Sequence, residues 1–176
     1  IKFLIIGNKN AITYKDVFAY IVKGQLKTGY RNINSDMWLI VPEQYEYEKI
    51  ENGKKVKHIM ACWFTNLDVQ KHDDFLKLYK HYTPEEFPHY DNYDAINVNK
   101  VVDIPCDYEE AMGVPITFLD KHNPKQFEIL GLSASAGYNK DIVGLPFLGD
   151  KDARPLINGK NIYARVFIKK KGVENS

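Results

Sequence analysis

The chain has 176 residues, 44% apolar and 27% charged, which suits one ordinary domain with a sizeable core and not a disordered segment. With 24 basic and 23 acidic residues the net charge is +1, which argues against a simple nucleic-acid-binding module but leaves room for an enzyme with one basic face. No apolar run approaches the roughly 20 residues of a membrane span, no signal-peptide pattern opens the chain, and Cys62 and Cys106 lack disulfide spacing, so a reduced, cytoplasmic protein is expected.

Residues 1–6, IKFLII, form a continuous apolar run of the kind found in strands buried on both faces inside parallel sheets. Such a strand needs neighbours on both sides, so the expectation is that earlier chain supplies them and that this sequence is the C-terminal part of a larger α/β domain. Gly7 to Asn10 read as a turn. Thr13, with Asp16 three residues on, predicts a helix N-cap; Tyr14, Val17, Phe18 and Ile21 give the helix its apolar side, and Gly24 its end. Strand, loop and helix make half of a parallel α/β unit.

Residues 37–64 predict a long hairpin with Asn52-Gly53 at its turn, the base inside a sheet and the tip projecting beyond it. Asp68 predicts the cap of a helix through Tyr82, with Phe75, Leu76 and Tyr79 on its apolar side. The Tyr-, Asp- and Pro-rich stretch 83–99 carries no clear period. Two strands are expected at 116–119 and 127–130, then a Gly-rich surface loop over 133–155. A second hairpin follows, Leu156-Ile157 turning at Asn158-Gly159 into a strand over 162–168, and a disordered tail over 172–176. His58, His72, His81, His89 and His122 never pair with cysteine at ligand spacing, so no metal site is predicted.

Five stretches resemble one family, the EcoRI-type adenine-specific DNA methyltransferases: KFLIIGNKNAITYK (2–15), CWFTNL (62–67), YDNYDAINV (90–98), MGVPITFLD (112–120) and FEILG (127–131). The resemblance implies transfer of a methyl group from S-adenosylmethionine to N6 of adenine in double-stranded DNA, in a restriction–modification system and away from membranes. It also implies a fold class: the C-terminal part of a class I, Rossmann-like methyltransferase sheet with an antiparallel closing hairpin, plus a smaller mixed α+β region. The expected division is 1–82 for the back half of the catalytic domain, 83–171 for target contacts and 172–176 for the tail.

The family's Asn-Pro-Pro-aromatic motif is absent, since none of the eight prolines adjoins another, and no Gly-rich cofactor loop occurs. The catalytic motif and most of the cofactor site are therefore expected upstream of Ile1, no residue here receives a catalytic role, and the chain alone is expected to be inactive. Two competing readings stay open: a non-catalytic DNA-recognition or protein-interaction domain, and an RNA adenine methyltransferase.

Candidate substrate-site residues follow from position. Asn8 and Asn10 lie just past the carboxyl end of the first strand, where open α/β sheets bind ligands, although Asn and Gly also simply make turns. Trp63, Phe64 and Asn66 end a strand expected at the same edge, where an extruded base would stack; one ring is expected in the core and the other at the site. Tyr90, Asn92 and Tyr93 are of the types that line a nucleotide site or contact DNA, but read first as packed structure. Lys121 and Lys125 form a small basic patch, and Lys160, Arg165, Lys169, Lys170 and Lys171 a larger one. Both are candidates for phosphate contact, against the alternative of a solvated strand edge.

Overall fold

A computed structural model describes residues 1–133 and 154–172. The expected loop over 133–155 falls outside these residues except for its ends, as does the expected tail after Gly172. Among the described residues there are one α-helix and four small sheets, a mixed α/β arrangement, and no helix long and apolar enough to cross a membrane.

Strand β1 (Leu4–Asn8) leads through a 3-10 turn (Lys9–Thr13) into helix α1 (Lys15–Val22) and then strand β2 (Lys27–Thr28). Strand β6 (Ala61–Thr65) separates β1 from β2 and runs antiparallel to both, so β1 and β2 run the same way with a foreign strand between them. Among the described residues the expected interior strand is an edge strand. It has β6 as its one neighbour, and Leu4, Ile5 and Ile6 remain 55%, 54% and 47% exposed. The helix starts one residue later than expected: Tyr14 is the N-cap, without a side-chain bond, because the 3-10 turn captures the Thr13 hydroxyl on Asn10 O at 2.8 Å. Gly24 ends the helix as expected, at φ +68°, where a side chain would be strained.

The expected long hairpin is instead a three-stranded antiparallel sheet plus a strand given to another sheet. Strands β3 (Met37–Ile40), β4 (Lys49–Glu51) and β5 (Lys54–Ile59) pair in the order β3-β5-β4. The β4–β5 turn is where the sequence placed it, with Asn52 at φ 50° and Gly53 at φ 73°, the two positive angles of a type I′ turn. Beyond Met60 the chain leaves this sheet as β6.

The largest sheet has the order β7-β8-β12-β9, from Ile96–Asn97, Met112–Pro115, Arg165–Lys170 and Phe127–Leu132. Here β7 and β8 are parallel and the other pairs antiparallel. The strand expected at 116–119 lies earlier, as β8. After Pro115 the chain tightens into a 3-10 turn, Ile116–Asp120, that drives Phe118 and Leu119 into the core. Strand β9 is where it was expected, two residues longer. Strands β10 (Leu156–Ile157) and β11 (Lys160–Asn161) make a minimal hairpin with Asn158 and Gly159 at positive φ, and β12 begins only at Arg165.

The expected helix over 68–82 is absent. A single 3-10 turn, Gln70–His72, forms, and Phe75 and Tyr79 are exposed. Backbone groups here are satisfied across the fold. Gln126 clamps Leu76 from both sides, accepting its N–H and donating to its carbonyl at 2.7 Å each, and Asn123 Nδ2 donates to Asp73 O. The His72 ring is buried between the carbonyls of Thr28 and His122, and burial, opposed by those two bonds, holds its pKa below the ordinary histidine value.

One core joins these parts: Phe18 and Ile21 of α1 and Cys62 and Phe64 of β6 pack in the same cluster as Val114, Ile129, Val166 and Ile168. A second, smaller cluster around Tyr90, Tyr93 and Phe167 covers the other face of β12. Truncation of Phe64, which is 5% exposed, removes the ring that links the two sheets. Phe64→Ala is therefore expected to lower unfolding free energy by about 3–5 kcal/mol in urea titrations; a loss under about 1 kcal/mol would show that the site collapses without it.

Candidate functional site

Because β6 opposes β1, its carboxyl end lies beside Leu4 and not beside Asn8. The expected single edge therefore splits in two. Asn8 sits opposite Ala61 and Asn66 lies past Thr65, roughly 17 Å away along the strand at about 3.4 Å per residue. Asn8 makes the turn: its Oδ1 accepts the Asn10 N–H at 2.8 Å, while the Asn10 side chain stays exposed. Asn66 extends the ladder with its amide, accepting from Phe3 N–H at 2.9 Å and donating to Ile1 O at 2.8 Å.

The two rings part as expected, and the structure says which goes where. Phe64 faces the core. Trp63, opposite Ile6, is half-buried on the other face, in line with the exposed Leu4 and Ile6. Gly29 donates its N–H to Trp63 O at 2.7 Å on the far side, and a Cβ there would lie 2.5 Å from the Trp63 Cβ. The bare glycine is what lets the chain pass so close to the indole. Near the start of β1 a cleft of about 590 Å³ is lined by Phe3, Tyr20, Gln25, Leu26 and Asn66. A second, polar cleft of about 480 Å³ gathers Asn32, Asn34, Asn99, Lys100, Asp120 and Lys121. Sequence reasoning named Lys121 but missed the cleft, since its residues come from three distant segments with no shared motif.

The basic residues divide by burial. Lys121, Lys125, Lys160 and Lys171 are exposed. Lys169 reaches Glu110 at 3.4 Å, and Lys170 donates to the Cys106 carbonyl. Arg165 is a correction: it is 8% exposed, its Nε donates to Asn97 Oδ1 at 3.3 Å, and its Nη1 faces the Tyr163 and Ala164 carbonyls. It shares a face of the central strand β12 with Phe167, and that face is covered. Tyr90 donates to the same Asn97 oxygen at 2.9 Å, and burial raises its phenol pKa well above the usual range. Tyr90 also explains Gly113, where a Cβ would lie 2.2 Å from the phenol oxygen.

Tyr90, Asn92 and Tyr93 are structural, as expected. The Tyr93 and Phe167 ring centroids are 4.6 Å apart, and the Asn92 amide ties to Arg154 O and Leu156 N. Cys62 is buried, and desolvation first, with Asp120 adding to it, pushes its thiol up to about 11, an inert group at neutral pH.

The family described as "Adenine-specific methyltransferase EcoRI" matches residues 1–171. The chain is 43% identical, over 98% of its length and 51% of the relative's, to the Type II methyltransferase M.EcoRI of Escherichia coli. It is 36% identical to M.MgeORF184P of Mycoplasma genitalium, over 98% of the chain and 58% of the relative. It is 33% identical to M.MpnI of Mycoplasma pneumoniae, over 97% and 57%. The chain thus spans between half and three-fifths of the length of these curated relatives. No solved structure matches it significantly.

Since Arg165 serves the interior, Arg165→Gln is expected to destabilise the protein by about 1.5–3 kcal/mol in the absence of any DNA. Lys171→Gln is expected to stay within about 0.5 kcal/mol. Thermal or urea unfolding checks both, and an Arg165 variant of unchanged stability would return this residue to the surface reading.

Proposed function

Since the chain belongs to the family of adenine-specific methyltransferases of the EcoRI type, we propose that the whole protein transfers a methyl group from S-adenosylmethionine to N6 of adenine in double-stranded DNA. The setting we propose is a cytoplasmic restriction–modification system. The observation that carries this is the family match across residues 1–171, supported by three relatives that are all named Type II methyltransferases. A self-contained recognition module is the weaker reading: it leaves β1 as a free edge strand with three large aliphatic side chains half exposed, a liability that folded proteins ordinarily cover. In the proposed reading, residues 1–82 complete a Rossmann-like catalytic sheet with the free edge of β1 joined to a further strand, residues 83–171 face the target, and 172–176 are a tail.

The residues present do not compose a donor site. The larger cleft has no acidic group for ribose hydroxyls, and its Asn66 amide is spent on the Phe3 and Ile1 backbone. The polar cleft has Asp120, but that carboxylate is taken by Ile33 N–H at 2.8 Å and Lys71 at 3.0 Å. The cofactor is therefore assigned to the part of the protein that the chain does not span. No chemical step is assigned to these side chains, which on this reading bind and orient the target.

Within that role, Trp63 is the stacking platform for the extruded adenine, because it is the half-buried ring on an open apolar face, whereas Phe64 belongs to the core. Asn8 and Asn10, at and beyond the carboxyl end of β1, are proposed to contact the target nucleotide by side-chain amides. The test uses the whole protein with labelled methyl donor and duplex DNA. Label is expected in N6-methyladenine; label recovered only in RNA, or none, would sink the reading. Trp63→Ala is expected to weaken extrusion, read by 2-aminopurine fluorescence, by about 1–3 kcal/mol with the fold intact. Wild-type extrusion in that variant would remove the indole from the site.

Phosphate contact is proposed for the surface lysines Lys121, Lys125, Lys160, Lys169, Lys170 and Lys171, and not for Arg165. Each true contact contributes close to one unit to the slope of log affinity against log salt. Changing Lys121, Lys160 and Lys171 to Gln is expected to make the slope shallower and to weaken cognate and non-cognate DNA alike. An unchanged slope would leave these lysines as a solvated edge.

A further inference from the structure

The sequence separates His81 from Cys106 by 25 residues, so no spacing rule connects them. The fold does. Lys80 and Pro105 form a parallel bridge, Cys106 N–H donates to Lys80 O at 2.8 Å, and Tyr82 N–H donates to Asp107 Oδ1 at 2.8 Å. Two irregular segments are thereby laid side by side in register. His81 Nδ1 stands 2.9 Å from Asp107 Oδ2 and 3.8 Å from Cys106 Sγ, and the three donor atoms lie within 4.8 Å of one another.

Three chemistries suit a histidine, a thiol and a carboxylate. A nucleophilic relay needs the two ring nitrogens on different partners, one on the thiol and one on the orienting carboxylate. Here the same nitrogen, Nδ1, faces both, so a relay does not fit. A surface ion pair accounts for His81 and Asp107 but makes no use of the thiol, which Cys106, the residue before Asp107, brings to 3.8 Å from the same nitrogen. A tetrahedral ion accounts for all three. With bonds of about 2.0–2.3 Å, donor atoms around zinc stand roughly 3.3–3.6 Å apart, between the two distances observed.

We propose that His81, Cys106 and Asp107 form a binding site for a divalent ion of the zinc class, with the fourth position open to water. The donor set of imidazole, thiolate and carboxylate suits a borderline ion and not a hard one such as magnesium. The Tyr82 N–H holds the second carboxylate oxygen and so orients Asp107, as outer partners of metal ligands do. Binding displaces the Cys106 proton to solvent, forms a metal–sulfur bond and staples residues 80–82 to 105–107. The exposure of His81 and Asp107 makes the site reversible.

The test is a titration of the full chain with cobalt(II) under a non-chelating reductant, followed by zinc. One equivalent of cobalt is expected to produce a thiolate charge-transfer band with the visible bands of four-coordinate geometry, and zinc to abolish them. Cys106→Ser and His81→Gln should each abolish the band, and Asp107→Asn should weaken binding about tenfold or more, with circular dichroism unchanged. No charge-transfer band in the unmodified chain overturns the proposal, and so does a band that survives His81→Gln. Since His81 and Asp107 are both exposed, either variant decides the question if the cysteine variant fails to fold.

Discussion

The segment from residue 66 to 82 has almost no regular structure, and the turn at 120–126 takes up several of its polar groups, backbone and side chain alike. Asp120 takes Lys71 and the Ile33 N–H, the His122 carbonyl takes the His72 ring, Asn123 holds the Asp73 carbonyl and Gln126 closes both groups of Leu76. The other His72 nitrogen reaches Thr28, at the end of β2. One polar seam thus fastens the sheet of β1, β6 and β2 to that of β7, β8, β12 and β9. The apolar core beneath it is continuous across the seam, with α1 and β6 on one side and β9 and β12 on the other.

That seam sets which surfaces remain available. It buries Phe64, on the core face of β6, in the same cluster as Phe18 and Ile21 of α1, and leaves the opposite face with Leu4, Ile6 and Trp63 uncovered or half covered. It also makes β12 a central strand. A cation on the face of β12 that carries Phe167 has to find partners inside, and Arg165 does so through Asn97 and two carbonyls. The lysines beyond it sit where β12 leaves the sheet, so charge density alone was a poor guide to which basic groups face solvent.

Much of the fold was legible in local chemistry. Asn52-Gly53 and Asn158-Gly159 turn where they should because few other pairs tolerate two consecutive positive φ values. Gly24 ends α1 for the same reason. The helix read over 68–82 failed because Phe75, Leu76 and Tyr79 have helical spacing in a segment whose backbone is claimed by Gln126 and Asn123, some fifty residues away. The apolar run at the start was read correctly as a strand, but side-chain character does not record how many neighbours a strand has, and among the described residues β1 has one. The metal-like cluster was invisible for a related reason: spacing rules see ligands on one element, whereas His81 and Asp107 meet through a pairing of two irregular segments.

The sequence by itself determined the turns of the two hairpins, the helix end, the strand character of 4–6 and 127–130 and, through its motifs, the family, because each of these is written in residues adjacent along the chain. Only the tertiary structure decided the direction of β6, the separation of Asn8 from Asn66, the assignment of Trp63 and Phe64 to opposite faces, and the burial of Arg165. Strand pairing and burial are relations between distant segments, and their energies come from what packs against a residue, not from the residue alone.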